Sequence, residues 1–315
     1  MSQDYSSVFR PESVLLTGGR GFIGTYVNKL LDYRCSIASR VFDAKLKNSR
    51  QVFISDLITS QNSSILSETQ VIIHLANLAH AACYSDSELQ SVNVDLTLNL
   101  ARNAARHNVK RFIYVSSIVV NGRNTLDSPF SSASIASPNS TYAKSKWDAE
   151  IGLKKIAEET GLEVVIVRPT LVYGPNAPRN FGSLVRLVNK SPILPFGLAN
   201  NKRDFIAVQN LVGLLITCAT HPNAAGHTFL ASDMETVSIK QFTNAIAGGL
   251  GKKVLQLPIP VSLMRFAGKL MGKSAMAEQL LGNLQVDSSN AKEVLGWTPP
   301  YTMEQAMASL SENKK

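Results

Sequence analysis

The sequence predicts an α/β fold: a doubly wound parallel sheet joined to a smaller mixed region at the C-terminus. Three observations carry that expectation. Short apolar runs alternate with helix-length amphipathic stretches over residues 14–168. Most of those runs are apolar on both faces, which suits strands covered by helices on either side. The first run leads into a glycine-rich turn that opens a helix.

The first strand is expected at 14–16. After the turn, Phe22, Ile23, Val27, Leu30 and Leu31 share one helical stripe. Further strands are expected at 36–38, 51–55, 71–75, 111–116 and 164–168, with long helices over 89–107 and 142–160. A Ser-, Ala- and Pro-rich surface loop is expected at 128–140. After Arg168-Pro169 the texture changes, and Gly174-Pro175 and Pro192 to Pro195 punctuate the chain. Residues 1–169 therefore read as a nucleotide-binding domain. Residues 170–315 read as mainly a substrate-binding region, with about 203–233 returning to the sheet through a strand near Phe229. Helices are expected at 238–250 and 261–281. The second carries Arg265, Lys269 and Lys273 at helical spacing. That stripe reads first as a solvated face or a lid near a phosphorylated ligand, and second as a surface for anionic lipid.

Composition narrows the classes. The chain has 315 residues, 44% hydrophobic and 17% charged, with a mean hydropathy of +0.02. A disordered chain would be poorer in apolar residues and richer in charge. Lys+Arg 32 against Asp+Glu 23 gives +9, which favours anionic partners. No basic run is interleaved with aromatics, so nucleic acid is set aside. Cys35, Cys83 and Cys218 stand singly without zinc spacing, so no metal is expected and the thiols read as idle in a reducing compartment. The N-terminus has no apolar core of a signal peptide. The longest apolar run, 211–219, is far short of the roughly 20 residues a bilayer requires. A cytoplasmic protein is expected.

Gly19-x-Gly21-x-x-Gly24 and Gly18-x-x-Gly21-x-x-Gly24 both fit dinucleotide-binding spacing, in the strand–turn–helix context that gives the pattern meaning. Without Cβ atoms the turn tightens, a pyrophosphate comes close, and the helix N-terminus offers free N–H donors. This is a Rossmann-type arrangement. At the end of the second strand a site for NAD places an acid on the ribose, whereas a site for NADP uses a basic residue. Here the strand ends Ser39-Arg40, with no acid before Asp43. NADP(H) is therefore favoured, with NAD(H) as the alternative if Asp43 reaches the ribose. Asp56-Leu57 follows the third strand, where it could flank the adenine.

Ser116-Ser117 ends a strand, and Tyr142-x-x-x-Lys146 opens the next long helix. Four residues along a helix put Tyr142 and Lys146 on one face. An ammonium nearby lowers a phenol's pKa, and a serine hydroxyl can polarise the same oxygen. Together they can move a proton on oxygen while a nicotinamide exchanges hydride at carbon.

With these residues in order, the sequence resembles the extended short-chain dehydrogenase/reductase family, in its NAD-dependent epimerase/dehydratase branch acting on nucleotide sugars. The resemblance runs from Val14 to about Thr302. It rests on Thr17 to Gly24, His74-Leu75-Ala76, Asn93, Val115-Ser116-Ser117, Tyr142 to Lys146, Arg168 to Pro175 and Arg203-Asp204-Phe205-Ile206. It implies Ser117 as the catalytic hydroxyl, with Ser116 as the one-residue alternative. It implies Tyr142 as acid/base and Lys146 as the residue on the nicotinamide ribose. Gly18, Gly21, Phe22, Ile23, Gly24, Leu75, Ala76 and Asn93 fall to the cofactor side. Asn180 and Arg203 fall where relatives contact the substrate's diphosphate. A homodimer through paired long helices is implied by analogy only.

Two departures stand out. The family's usual R-D-Y-I-H-V-x-D run appears as Arg203 to Asn210, without the His or the last Asp. The Asp-Glu pair of 4,6-dehydratases is replaced by Ile118-Val119, which sets dehydration aside. An epimerase keeps its cofactor through the cycle, whereas a reductase consumes NADPH. Ser39-Arg40 therefore tilts the expectation to a reductase of a UDP-4-keto-6-deoxy-hexosamine in polysaccharide precursor synthesis. The likeness within the family is to UDP-4-keto-6-deoxy-N-acetylglucosamine 4-reductases, also described in reverse as UDP-N-acetylquinovosamine dehydrogenases. A C4 epimerase of UDP-hexoses or UDP-N-acetylhexosamines is the alternative, and a non-catalytic NADP sensor the third reading. In each case the +9 charge is assigned to the two diphosphate ligands.

Overall fold

The structure, a computed structural model, describes residues 13–31, 35–40, 50–58, 63–79 and 83–312. Its first half alternates strands and helices in chain order. These are β1 (Val14–Thr17), α1 (Phe22–Leu31), β2 (Cys35–Ser39), β3 (Arg50–Phe53), α2 (Ile54–Ile58), α3 (Ser63–Glu68), β4 (Val71–His74), α4 (Asp86–Leu89), α5 (Leu96–Arg106), β5 (Arg111–Val115), α6 (Thr141–Thr160) and β6 (Glu163–Pro169). After them come β7 (Leu171–Tyr173), α7 (Arg179–Lys190), β8 (Ile193–Leu194), β9 (Arg203–Ala207), α8 (Val208–Thr220), β10 (Thr228–Ala231), β11 (Thr236–Val237), α9 (Ile239–Gly249) and β12 (Leu255–Gln256). The chain ends with α10 (Val261–Leu270), α11 (Ser274–Leu281), α12 (Ser289–Leu295) and α13 (Met303–Glu312).

Seven strands form one sheet in the order β10-β6-β5-β4-β1-β2-β3, and every pairing in it is parallel. The doubly apolar strands are buried throughout β1, β4 and β5 because both faces are covered. On one face Val14, Leu16, Ile37, Ile73 and Ile113 pack with α1, α8 and α12. On the other, Leu15, Ile72, Phe112 and Tyr114 pack with α2, α5 and α6. A separate core lies among the C-terminal elements, where Phe205 stacks on Phe242 at 3.8 Å and Tyr173 meets the same ring edge-on.

Within 203–233, β10 completes the large sheet beside β6, with Phe229 at its centre, and α8 covers that sheet. β9 does not join it and lies instead between β7 and β11 in a three-stranded sheet. Three local expectations change. The strand expected at 51–55 ends at Phe53, where α2 begins. The helix expected over 89–107 carries a π-helical turn at Gln90–Asp95. The helix expected over 261–281 is two helices, parted at Gly272 with φ +66°. Among the described residues no helix is long and apolar enough to cross a membrane.

The glycine turn is held by close backbone approach. Gly18 has φ +72°, and a Cβ there would stand 2.8 Å from the Ala76 nitrogen. A Cβ on Gly24 would collide with the Gly18 carbonyl oxygen and approach the Gly19 Cα to 2.7 Å. Backbone cannot move aside as a side chain can. Gly24→Ala is expected to lower the unfolding free energy by roughly 2–3 kcal/mol, read as an earlier midpoint in urea. An unchanged midpoint would show that the turn has slack.

Candidate active site

The strand order reverses direction between β1 and β4, the place where open parallel sheets bind ligands. A cavity of about 690 Å³ opens there. Gly18, Gly19 and Gly21 form its floor, Ser39 and Arg40 one edge, and Ala76 and Leu78 the other. The Gly21 N–H is tied to the Gly18 carbonyl at 2.9 Å, which fixes the turn just before α1. Phe22 and Ile23 open that helix, and Phe22 packs edge-on to Tyr26. Glycine floor, helix N-terminus and apolar edge fit a dinucleotide. Of the residues expected to flank the adenine, Asp56 is half-buried on α2, while Leu57 turns into the core. Ile54, one turn earlier, lines the cavity instead. Asp43, the alternative ribose acid, lies outside the described residues.

A chain of hydrogen bonds supports the cavity from beneath. The Ala76 N–H donates to Thr17 Oγ1 at 3.1 Å, and Thr17 Oγ1 lies 2.9 Å from His74 Nδ1. His74 Nε2 lies 2.9 Å from Thr97 Oγ1, which itself donates to the Asn93 carbonyl. Thr97 has its proton committed, so Nε2 carries the imidazole hydrogen and Nδ1 accepts from Thr17. Burial, aided by the Lys146 charge, pushes the His74 pKa down to about 3 and keeps the ring neutral. Asn93, buried in the π-helical turn, accepts from the Leu78 N–H at 2.7 Å and donates to Ser145 Oγ at 3.0 Å. Its side chain is thus spent on holding the Leu78 loop to α6. Leu75 packs on the sheet core beside it.

Ser117 caps a short turn just beyond β5, while Tyr142 and Lys146 lie in the first turns of α6, which Ser140 caps. The structure separates the two serines. Ser116 is buried and donates to Glu150 Oε1 at 2.5 Å. Ser117 is half-exposed, and its hydrogen bond to Tyr142 lowers the phenol's pKa against the larger effect of burial, which holds it up to about 12. The expectation of an ammonium-lowered phenol is therefore not met in this state. Lys146 is buried, donates to the Val115 carbonyl at 2.8 Å, and sits 4.4 Å above the Tyr114 ring. Desolvation brings Lys146 down to about 7, with Glu150 opposing.

Glu150, one turn beyond Lys146, was not marked by the sequence reasoning, although the i, i+4, i+8 spacing from Tyr142 could have found it. It takes two bonds from Arg168, Nε–Oε1 at 3.0 Å and Nη2–Oε2 at 2.5 Å. Arg168 also donates to Asn121 Oδ1 at 2.9 Å.

The two residues assigned to the substrate's diphosphate lie on separate C-terminal elements. Asn180 is exposed in the first turn of α7. Arg203 is largely buried on β9 and donates to the Gly282 carbonyl at 3.0 Å; burial lowers its pKa to about 10, so it stays cationic. The Asn210 departure has a local reason. Asn210 donates to Asp233 at 2.7 Å, beside Tyr173 and the Ala207 N–H, so a second carboxylate there would face the first.

Lys146 ordinarily titrates at 10.5 and here at about 7. Between those values the unfolded chain holds one more proton, so stability rises with pH, by up to about 1.4 kcal/mol per pH unit. In nucleotide-free protein, wild type is expected to gain on Lys146→Met as pH rises above neutrality. Urea unfolding of both at several pH values checks this, and a constant gap between them would refute it.

The family model described as the NAD dependent epimerase/dehydratase family matches residues 14–231. A UDP-glucose 4-epimerase of Vibrio cholerae is 41% identical over 96% of this chain and 95% of its own. Among solved structures, the fold matches a UDP-glucose 4-epimerase of Thermotoga maritima at TM-score 0.75, with 22% identity over 95% of this chain and 97% of that one. It also matches a UDP-N-acetylglucosamine 4-epimerase of Bacillus cereus at TM-score 0.77, with 21% identity over 96% and 99%. The Vibrio relative overturns the expected keto-sugar reductase in favour of the epimerase alternative. The physical reason is that Ser39 and Arg40 border one edge of the cavity, beside β2, and carry no information about what happens at a sugar carbon. With its family model, its near full-length relative and its seven-stranded parallel sheet in agreement, the chain belongs to the NAD dependent epimerase/dehydratase family of enzymes.

Proposed function

We propose that this protein is a C4 epimerase of UDP-hexoses or UDP-N-acetylhexosamines. The observation that carries the reading is the 41% identity, over nearly the whole chain, to a UDP-glucose 4-epimerase. Epimerisation at C4 requires loss of a proton from the hydroxyl and hydride from the carbon, turnover of the 4-keto sugar, and return of both. A nicotinamide dinucleotide, when bound, accepts that hydride and gives it back. Tyr142 takes the hydroxyl proton and returns it, and Ser117, already bonded to the phenol, holds the same oxygen. Lys146, near its midpoint at neutral pH, supplies the positive charge that a phenolate needs. Ile118 and Val119 add no acid or base beside Ser117, so nothing there assists loss of water.

Gly18, Gly21 and Gly24 with the first residues of α1, Phe22 and Ile23, would hold the pyrophosphate. Leu75, Ala76 and Asp56 would border the adenosine half, and Lys146 would take the nicotinamide ribose. Arg203 and Asn180 would take the substrate's diphosphate. The exposed Arg40 beside Ser39 supports a finer proposal, a preference for the phosphate-bearing cofactor NADP(H). The α5 and α6 faces remain the proposed surface of a homodimer.

Purified protein is expected to interconvert a UDP-hexose and its C4 epimer with no net change in reduced-nicotinamide absorbance, followed by NMR of the sugar. Consumption of one reduced cofactor per turnover would defeat the reading. Tyr142→Phe should lose about a hundredfold or more in turnover while still binding nucleotide. Arg40→Asp should weaken NADPH by about tenfold or more and leave NADH little changed in fluorescence titration. Wild-type preference for NADH would remove the finer proposal.

A further inference from the structure

The α10–α11 hairpin carries a surface that the site does not use. Its inner face is ordinary: Val261, Met264 and Leu280 pack on the C-terminal core, and Gly268 lies so close to α11 that an added Cβ would stand 2.9 Å from the Ala277 methyl. Arg265 bridges to Glu278 at 2.9 Å and pins the two helices together. The outer face is not ordinary. Leu263, Phe266 and Leu270 follow helical i, i+3, i+7 spacing along α10, and each is more than half exposed. Met271 and Met276 extend the exposed apolar surface across the turn into α11.

Charge lies beside this ridge. On a helical projection Arg265 and Lys269 form the adjacent stripe, and Lys273 follows in the turn. Residues 251–286 hold five Lys or Arg and one acid, Glu278. Glu278 is already bridged by Arg265, and Lys269 and Lys273 make no ion pair among the described residues. An apolar ridge flanked by unneutralised cations is the pattern of a helix that lies in the plane of an anionic bilayer. A second copy of this chain fits the surface poorly. A twofold contact would set the same cations against each other, and within 251–286 the one acid, Glu278, is already bridged to Arg265. We propose that the α10–α11 hairpin docks this protein on an anionic lipid surface, with Phe266 and Leu270 entering the headgroup boundary and Lys269 and Lys273 facing the lipid charge. The docking is independent of the reaction assigned to the site.

Co-sedimentation of the full-length protein with vesicles tests it, using phosphatidylglycerol–phosphatidylcholine mixtures beside pure phosphatidylcholine. Wild type is expected to pellet with the anionic vesicles, less so at high salt, and to stay in solution with the neutral ones. Lys269→Gln and Lys273→Gln should each weaken partitioning by about fivefold. Phe266→Ser with Leu270→Ser should weaken it by about tenfold or more. Because all four side chains are exposed, sugar-nucleotide turnover in solution should stay at the wild-type level, which certifies the fold. Wild type that remains in solution with anionic vesicles overturns the proposal. So does partitioning that the Phe266 and Leu270 changes leave intact. If light scattering instead shows those two changes splitting a dimer while no vesicle is bound, the ridge belongs to a second copy and the lipid assignment falls.

Discussion

The site depends on one constraint, the burial of the Lys146 ammonium. A buried cation is tolerated only where its hydrogens are received and its field is answered. Here the Val115 carbonyl at the end of β5 receives one hydrogen, and the Tyr114 ring lies beneath. Glu150 answers one turn along and is itself fixed by Arg168 and Ser116. Rotating or sliding α6 would strand at least one of these charges. The helix therefore has one seating against β5 and β6, and Tyr142 is placed opposite Ser117 as a consequence. The adjacent serines divide by the same logic. Ser116 faces inward and completes the Glu150 carboxylate, which leaves Ser117 to face the phenol.

The second support is neutral. Ala76, Thr17, His74, Thr97 and Asn93 form a run of hydrogen bonds in which each hydroxyl donates once and accepts once, while Nδ1 of His74 accepts and Nε2 donates. A charged His74 would need an acceptor at Nδ1, where Thr17 already donates, and burial together with the Lys146 charge keeps the ring neutral. Through Asn93 and Ser145 the run reaches the Tyr142 carbonyl. The cofactor cavity and the Tyr142 helix are thus joined by one run of side-chain hydrogen bonds. A site built this way keeps its reacting groups in register without relying on a loop.

How much of this was legible in the sequence follows from which interactions are local. The central strands of the large sheet, β1, β4 and β5, could be read because both of their faces are apolar, and the glycine turn because its residues are contiguous. The pairing of Tyr142 with Lys146 could be read because helical spacing alone sets it. The π-helical turn at Gln90–Asp95 could not, since it exists to aim Asn93 at Leu78 and Ser145, residues far away in sequence. Nor could the separate sheet of β9, because Arg203 to Ala207 is as buried as a strand of the main sheet and its partners β7 and β11 are set only by the fold. The split of 261–281 turns on the positive φ of Gly272, which a helical pattern on either side conceals. Asn210, which departs from the family's usual Asp, makes a hydrogen bond of its own. Its meaning depends on Asp233, which only the fold brings beside it.

Cofactor identity and reaction type are decided at different places, and this is why Ser39-Arg40 misled. β2 and β5 are three strands apart in the order β2-β1-β4-β5, roughly 14 Å at ordinary strand spacing. Arg40 borders the cavity at the first of these strands; Ser117 follows the second. A guanidinium at the cavity edge can bias which dinucleotide enters. It cannot determine whether a 4-keto sugar turns over before hydride returns, because that depends on space and polar contacts around the sugar. On the proposed mechanism the same Ser, Tyr and Lys would serve either outcome, since oxidation and reduction at C4 are one step run in opposite directions. The difference between a reductase and an epimerase therefore rests on residues around the sugar. No short motif marks those residues, whereas a near full-length relative reports on the whole chain together.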